Sequence, residues 1–263
     1  MSGLEAIALG LIQGLSEFLP VSSSGHLVML QALLGLSLPG VAVEVTLHVA
    51  TLASVLVVYR RRVTGLVTGA LCGRGDALRY GMKLGLATLP AVLAVLVAGD
   101  FLEAQFEAPG VAGAGLLVTG AMLWTTRGTV GRARAEEPSW SAALLIGCAQ
   151  AFAILPGISR SGATVATALA LGVAPAAAAE FSFLMSVIAI AGAAARELPA
   201  IAASGAGSAL GPLCVGAVVA LVSGVAAIWL FVRLLRRQIF HAFAYYTWAA
   251  GAIFLLWLAL RGG

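Results

Sequence analysis

The stretch EFLPVSSSGH, residues 17–26, places a carboxylate, three serines and a histidine within ten positions of an otherwise apolar chain. Its proline and glycine interrupt helices, while long runs of Leu, Ile, Val, Ala and Gly flank it on both sides. Non-helical backbone is tolerated at membrane depth only where protein or a water-filled cavity covers it. The stretch therefore predicts a polar loop folded into the interior of a helical membrane protein.

The composition supports a membrane protein and argues against other classes. Of the 263 residues, 61% are hydrophobic and 10% are charged, whereas a soluble domain carries about 25% charged residues. A transmembrane barrel would alternate polar and apolar residues, but the apolar runs here are continuous. Residues 1–59 contain no Lys or Arg, so they do not predict a secretory signal peptide. The net charge of +4 does not indicate a nucleic-acid partner, because the basic residues are confined to short loops.

The charged residues predict which loops face the cytoplasm. Three basic loops hold 12 of the 15 Lys and Arg residues, and the positive-inside rule places them in the cytoplasm. The acidic loop with Asp100, Glu103 and Glu107 lies between the first two and is expected outside. The basic loops contain Arg60, Arg61, Arg62, Arg74, Arg79 and Lys83, then Arg127, Arg132 and Arg134, and then Arg233, Arg236 and Arg237.

This charge pattern predicts an all-α integral membrane protein with six transmembrane helices and two re-entrant hairpins. Two further apolar stretches, 4–38 and 140–175, are interrupted by Pro, Gly and Ser, and each must return to the side it entered from. We expect the first to enter from outside and the second from inside, with both termini outside. The six spans are predicted near 41–59, 84–100, 110–126, 177–195, 211–232 and 239–260.

The two interrupted stretches also resemble each other at a constant offset of 137 residues. Because the charge pattern gives them opposite orientations, we predict a single membrane domain, 1–263, built from inverted repeats 1–126 and 138–263. Paired interrupted segments in such repeats point to a binding site near the midplane. The matched pairs are Gly10 and Gly147, Gln13 and Gln150, Ser22 and Ser159, Ser24 and Ser161, Gly25 and Gly162, and Gly35 and Gly172, with Glu44 and Glu180 following at an offset of 136.

The second loop, LPGISRSG at 155–162, contains Arg160, which would face Glu17 if the two loops meet. Gly-containing loops that precede helix N-termini bind anions through backbone N–H groups. A guanidinium binds phosphate oxygens in a bidentate way, so we predict a phosphate or pyrophosphate site. The alternative is a buried ion pair that only joins the repeats. The predicted anion-binding residues are Ser22, Ser24, Gly25, Ser159, Ser161, Gly162 and Thr164.

Ser23 is the candidate nucleophile, because Arg160 stands at its repeat-related position where the neighbouring serines are matched by serines. A serine hydroxyl needs a base, and both His26 and Glu17 are candidates. The sequence leaves open the alternative that His26 is itself the nucleophile. His48 lacks the adjacent serines that accompany His26, so we expect a structural role for it. Intramembrane charges are functional hypotheses by default, and this applies to Glu44 and Glu180 as well.

Gln13 and Glu17 are spaced i, i+4 and so share one helix face. Their oxygens predict a divalent cation, Mg²⁺ or Ca²⁺, that would bridge to phosphate.

The segments QGLSEFLPVSSSGH and LPGISRSGAT resemble the two signature motifs of the bacterial undecaprenyl-pyrophosphate phosphatases, the BacA/UppP family. The motif spacing, the chain length, the AAEFSF segment after the second motif and the hydropathy pattern extend the resemblance over nearly the whole chain. The resemblance implies hydrolysis of undecaprenyl pyrophosphate to the monophosphate that carries cell-wall precursors. It implies catalytic roles for Glu17, Ser23, His26 and Arg160.

The same resemblance implies dependence on a divalent cation and a site in the bacterial cytoplasmic membrane that opens away from the cytoplasm. The family motif carries Glu or Gln four residues before the motif Glu; here it is Gln13, which weakens a site with two carboxylates. Because inverted repeats are also transporter architecture, a polyprenyl-phosphate transporter or flippase is the alternative function. The lipid substrate and the bilayer are the predicted partners. The sequence does not decide between a monomer and a homo-oligomer.

Overall fold

The structure, a computed structural model, describes residues 2–34, 41–204 and 210–261. These residues form helices, turns and loops and no named β-strand, which confirms the all-helical prediction. The side chain of Glu44 lies outside the described part, so the hypothesis about it has no structural outcome. The helices are α1 Gly3–Phe18, α2 Ser23–Leu34, α3 Val41–Val58, α4 Arg60–Leu71, α5 Gly75–Phe106, α6 Pro109–Thr129, α7 Trp140–Phe152, α8 Arg160–Ala170, α9 Pro175–Ser204, α10 Leu210–Arg236 and α11 Phe243–Arg261.

Four helical segments in the described ranges are long and apolar enough to cross a membrane. The predicted spans near 84–100, 177–195, 211–232 and 239–260 fall on these four, so the chain is a multi-pass membrane protein. The predicted spans 41–59 and 110–126 fall on α3 and α6, which are not among the four. The four segments are Gly75–Phe106, Pro175–Arg196, Gly211–Arg236 and Phe240–Arg261.

The first basic loop is not a loop along its whole length, because residues 60–71 fold into α4 and Arg79 and Lys83 lie on α5. Its apolar residues Val63, Leu66, Val67 and Ala70 are spaced i, i+3, i+4 and i+7. This spacing gives α4 an apolar stripe on one face, which explains why a segment that begins with three arginines is helical.

Both interrupted stretches have the predicted helix–loop–helix form. Between α1 and α2, Leu19 precedes Pro20 and is extended, as expected for a residue before proline, and Ser22 has a positive φ of 65°. Between α7 and α8, Gly157 has a φ of 88°. That each stretch returns to the side from which it enters stays a prediction.

The two loops contact each other at counterpart positions. A Cβ on Gly25 would lie 2.7 Å from the Cα of Gly157, and one on Gly162 would lie 3.3 Å from the Cβ of Pro20. Residues 20 and 157 are themselves 137 apart, so each contact is the repeat-related counterpart of the other. The two polar loops are therefore packed together at the centre of the helices.

The surrounding helices also pack between the two halves of the chain. α1 packs on α10 and α7 packs on α5, while α3 contacts α9 and α6 contacts α11. Gly10 and Gly147 allow close approaches of α1 to α10 and of α7 to α5, since a Cβ at either position would meet a backbone carbonyl, of Gly216 or of Ala87. Each half of the chain therefore supplies the support for the interrupted stretch of the other half.

We expect Gly157→Ala to destabilise the protein more than Gly172→Ala does. Both glycines have positive φ, at 88° and 85°, so both variants carry a conformational strain of roughly 1–2 kcal/mol. Only the Gly157 Cβ would also meet a backbone carbonyl, that of Ala112, because nothing lies within 4 Å of a Cβ on Gly172. Thermal unfolding in detergent measures the difference, and equal shifts would contradict close packing of the second loop.

Candidate active site

A cavity of about 690 Å³ opens beside the two loops and has a polar floor and apolar walls. Residues from the ends of α1 and α7, both loops, α3, α5 and α9 line it. The polar lining consists of Ser16, Glu17, Ser22, Ser23, Ser24, His48, Glu103, Ser159 and Arg160, and the apolar lining includes Val45, Phe106, Ile154, Ile158 and Ile190.

Glu17 is the centre of the polar floor and is 9% exposed. Its Oε1 accepts a hydrogen bond of 2.7 Å from Nη2 of Arg160. Its Oε2 accepts hydrogen bonds from Nε2 of Gln13 at 3.0 Å and from Oγ of Ser23 at 3.3 Å. The fold therefore brings together the carboxylate, the guanidinium and the candidate nucleophile predicted from separate parts of the sequence.

Arg160 is the first residue of α8, and the backbone around it is held firmly in place. Thr119 of α6 donates through Oγ1 to the carbonyl of Gly157 at 2.8 Å and accepts from the N–H of Ser159 at 2.9 Å. Thr119 is 1% exposed. This support is a role that the sequence did not predict, because Thr119 is far from either motif and a buried threonine in a helix is ordinary.

His48, for which the sequence predicted a structural role, also lies at the polar floor. Its Nε2 lies 3.7 Å from Oε2 of Glu17, and its ring lines the cavity. Sequence spacing could not predict this contact, because His48 is in the middle of the apolar helix α3 and reaches Glu17 only when α3 packs on α1.

His26 lies outside the cavity lining. Its Nδ1 is 2.8 Å from the carbonyl oxygen of Ser22, which requires that Nδ1 donates. Its Nε2 is 2.6 Å from Oη of Tyr246 on α11, and that hydroxyl then donates to the ring. Both ring nitrogens are therefore engaged, and the contact between Ser23 and a base is made by Glu17.

The predicted anion-binding residues divide into two groups. Three of them line the cavity, namely Ser22, Ser24 and Ser159. Ser22 and Ser159 bind the first turns of α2 and α8. Their Oγ atoms accept hydrogen bonds from the N–H groups of Gly25 at 3.2 Å and Gly162 at 3.1 Å.

The other members of the set lie behind the cavity lining. Gly25 and Gly162 sit at the contact between the two loops. Ser161 is buried against Oγ of Ser159, and Thr164 is buried, donating to the carbonyl of Arg160 at 2.8 Å and contacting Oγ of Ser182 at 2.7 Å. These four support the loops in the structure, and a direct contact with an anion stays a prediction for them.

Glu180 does not belong to this site. Its Oε1 accepts from Nε of Arg62 at 2.8 Å and from Oη of Tyr80 at 3.2 Å, so it pairs with the basic region around α4.

Gln13 and Glu17, as they stand, do not fit a resident cation. The amide of Gln13 donates to Glu17 through its nitrogen, and both carboxylate oxygens are already engaged, one by the positive charge of Arg160. Over the described ranges no cluster of three or more His, Cys, Asp or Glu side chains could hold a metal ion. We therefore derive no step through a metal, and dependence on a divalent cation stays a proposal.

Known proteins resemble this chain over nearly its whole length. The family model described as bacitracin resistance protein BacA matches residues 6–253. An undecaprenyl-diphosphatase from Syntrophotalea carbinolica is 42% identical over 263 residues, which covers 97% of this chain and 98% of the relative. The undecaprenyl-diphosphatase of Desulfatibacillum aliphaticivorans is 38% identical over 274 residues, with 97% and 99% covered. That of Alcanivorax borkumensis is 37% identical over 265 residues, with 98% and 100% covered.

Proposed function

This chain belongs to the bacitracin resistance protein BacA family, and on that premise we propose that it is a membrane phosphatase that hydrolyses undecaprenyl pyrophosphate to the monophosphate and phosphate. The observation that carries the proposal is the group of Ser23, Glu17 and Arg160 on the floor of the cavity. A nucleophile, a base in contact with it and a guanidinium are what phosphoryl transfer from a pyrophosphate requires. The apolar walls above this floor suit the prenyl chain of the lipid.

Arg160 has two tasks in the proposed mechanism. In the absence of substrate it pairs with Glu17 at 2.7 Å, which keeps the carboxylate ionised and in place. When the pyrophosphate enters, the guanidinium donates to oxygens of the terminal phosphate, where it offsets the charge that develops during transfer. The N-terminal ends of α2 and α8 lie at the cavity, where Ser23, Ser24 and Arg160 line it, and helix N-termini favour an anion.

Ser23 attacks the terminal phosphorus in the first step. Its proton passes to Oε2 of Glu17, its Oγ forms a bond to phosphorus, and the bond from phosphorus to the bridging oxygen breaks, which releases undecaprenyl monophosphate. In the second step water attacks the phosphorus of the phosphoserine, the bond from phosphorus to Oγ of Ser23 breaks, and Oγ recovers the proton held by Glu17. The proton lost by the attacking water leaves with inorganic phosphate. His48 lies 3.7 Å from Glu17 and is near enough to assist these proton transfers.

The arrangement in the membrane is part of the proposal: six spans, two re-entrant hairpins and inverted repeats 1–126 and 138–263, in the bacterial cytoplasmic membrane. The counterpart contacts of the two loops and the crossed packing of α1 on α10 and α7 on α5 support it. The positive-inside rule then puts both termini outside and opens the cavity away from the cytoplasm.

Labelling of introduced cysteines tests this orientation. We expect Glu107→Cys to react with an impermeant thiol reagent in intact cells, and Arg132→Cys to react only after permeabilisation. Both side chains are exposed, so access to the reagent and not burial decides the outcome. The native Cys72, Cys148 and Cys214 are exposed and free, and must be replaced first. Labelling of Arg132→Cys from outside would overturn the orientation.

A substitution of Tyr246, the partner of His26 on α11, distinguishes a positioning role of His26 from a role as the base. If His26 holds the backbone of Ser22 in place, we expect Tyr246→Phe to lower kcat by roughly 10-fold, because one hydrogen bond to the ring of His26 is lost. Tyr245→Phe is the matched control, since Tyr245 is the exposed neighbour on the same helix, whereas the bond to the ring of His26 is made by Tyr246. If His26 instead turns into the cavity as the base, Tyr246→Phe leaves kcat unchanged or raises it.

The transporter alternative is not favoured, because the curated relatives carry the name of a phosphatase. The proposal is tested by phosphate release from purified protein and undecaprenyl pyrophosphate, with and without a chelator. We expect release in step with formation of undecaprenyl monophosphate. Loss of phosphate release on chelation would support dependence on a divalent cation, and full activity with chelator would exclude that dependence. No phosphate release under either condition would overturn the proposed phosphatase function. The oligomeric state of the active protein is a separate measurement, and a homo-oligomer is compatible with the proposal.

A further inference from the structure

A second cavity lies on the face of α4, away from the site described above. It is an apolar groove of about 510 Å³ between α3, α4, α5 and α9. The apolar stripe of α4 forms one wall, and Leu78 and Met82 of α5, both more than 40% exposed, lie along the opening. The groove lining consists of Leu56, Val63, Leu66, Val67, Ala70, Ala77, Leu78, Gly81, Met82, Leu84, Leu184, Val187 and Ile188.

A polar pocket of about 240 Å³ adjoins the groove, and Leu66 and Ala77 line both. Three arginines border this pocket, which therefore joins a basic region to an apolar one without a break. Its lining consists of Arg61, Arg62, Gly65, Leu66, Arg74, Asp76, Ala77, Tyr80 and Glu137.

The charges of this pocket leave one arginine in excess. Arg62 pairs with Glu180 at 2.8 Å and stacks over the ring of Tyr80 at 4.4 Å. Arg74 pairs with Asp76 at 2.7 Å.

The remaining acid is matched in the same way, because Glu137 pairs with the buried Lys83 at 2.9 Å. Arg61 is exposed, and over the ranges that the structure describes its guanidinium makes no hydrogen bond or ion pair. Its positive charge is therefore available to a ligand at the point where the pocket meets the groove.

We propose that this face binds an anionic phospholipid, with its phosphate headgroup against Arg61 and one acyl chain in the apolar groove. Charge complementarity selects the headgroup, because basic residues next to a membrane helix or on an amphipathic helix bind anionic lipids. The continuous apolar lining favours a ligand with an acyl chain and disfavours a free anion. An amphipathic helix that starts with three arginines, as α4 does, is suited to the level of the bilayer at which headgroups meet the acyl chains. The site is separate from the cavity at Glu17, so it does not depend on the proposed phosphatase reaction.

Lipid retention tests the headgroup contact. Protein solubilised from vesicles of equal phosphatidylglycerol and phosphatidylcholine is analysed for bound lipid by native mass spectrometry. Wild-type protein is expected to retain phosphatidylglycerol in preference to phosphatidylcholine, and Arg61→Ala to lose about fivefold of that preference. Arg60→Ala removes the same charge one position away, outside the pocket lining, and is expected to keep it. Equal retention of both lipids by wild-type protein, or equal losses in the two variants, would overturn the proposal.

The groove is tested with two leucines placed on α5. Gly81 lines the groove and has no heavy atom within 4 Å of a Cβ, so Gly81→Leu fills the groove without a clash at the backbone. Gly85 is one turn further along α5, is equally open and does not line the groove. Gly81→Leu is expected to reduce bound phosphatidylglycerol several-fold and Gly85→Leu to leave it unchanged. Loss in Arg61→Ala with full retention in Gly81→Leu would mean that the pocket binds the anionic group alone, which contradicts a lipid chain in the groove.

Discussion

Ser23→Ala is expected to lower kcat by at least about 10³-fold while KM changes little. Ser23 is the hydroxyl in contact with Glu17, at 3.3 Å, and it lines the cavity beside Arg160. Without Oγ no covalent intermediate forms, whereas Arg160 and the backbone N–H groups still hold the pyrophosphate. Steady-state assays of phosphate release with purified variants give both constants.

Ser16→Ala is the matched control for this variant. Ser16 lines the same cavity, but its Oγ donates to the carbonyl of Ile12 in its own helix at 2.6 Å. We expect its loss to change kcat only slightly. Near-normal turnover by Ser23→Ala, or equal losses in both variants, would contradict Ser23 as the nucleophile.

Arg160→Lys is expected to lose activity nearly as severely as Arg160→Ala, by roughly 10²- to 10³-fold in kcat/KM. Lysine keeps the charge, but its single ammonium cannot bind two phosphate oxygens in the planar bidentate way of a guanidinium. The shorter reach of lysine also weakens the contact with Glu17, which Arg160 makes through the terminal Nη2. Kinetic assays at several substrate concentrations separate the loss of binding from the loss of turnover.

Arg127→Lys serves as the control, because Arg127 stacks over Trp124 outside the cavity lining and carries the same change. It is expected to retain activity, which shows that exchange of arginine for lysine is tolerated elsewhere. Normal turnover by Arg160→Lys would mean that Arg160 is only a counter-ion for Glu17, and the alternative of a buried ion pair that joins the repeats would then be correct.

The sequence was sufficient to predict the interrupted helices and the groups that meet between them. Pro20 and Gly157 predicted the breaks, because proline and a glycine at positive φ are incompatible with a continuous helix. The offset of 137 predicted that Ser23 and Arg160 occupy equivalent places, and the fold brings both beside Glu17. These features depend on local backbone preferences and on the repeat, both of which are present in the sequence.

Contacts between helices distant in sequence could not be predicted in the same way. His48 and Thr119 are single polar residues in apolar helices, and their roles depend on which face of α3 and α6 turns towards the loops. The contact of His26 with Tyr246 spans most of the chain, so proximity to the serines in the sequence suggested a base instead. The repeat is also imperfect: Gln13 donates to Glu17, whereas its counterpart Gln150 is buried and its amide has no hydrogen-bond partner within the described part of the protein.

A single-turnover experiment can decide whether Ser23 attacks the terminal phosphate with Glu17 as its base. Purified protein is mixed with undecaprenyl pyrophosphate labelled in the terminal phosphate, quenched within one turnover, digested and mapped. We expect an acid-stable phosphopeptide that contains Ser23, forms with the release of undecaprenyl monophosphate and is absent from Ser23→Ala. An acid-labile adduct on His26, or release of labelled phosphate at the full rate with no adduct at any time, would contradict it.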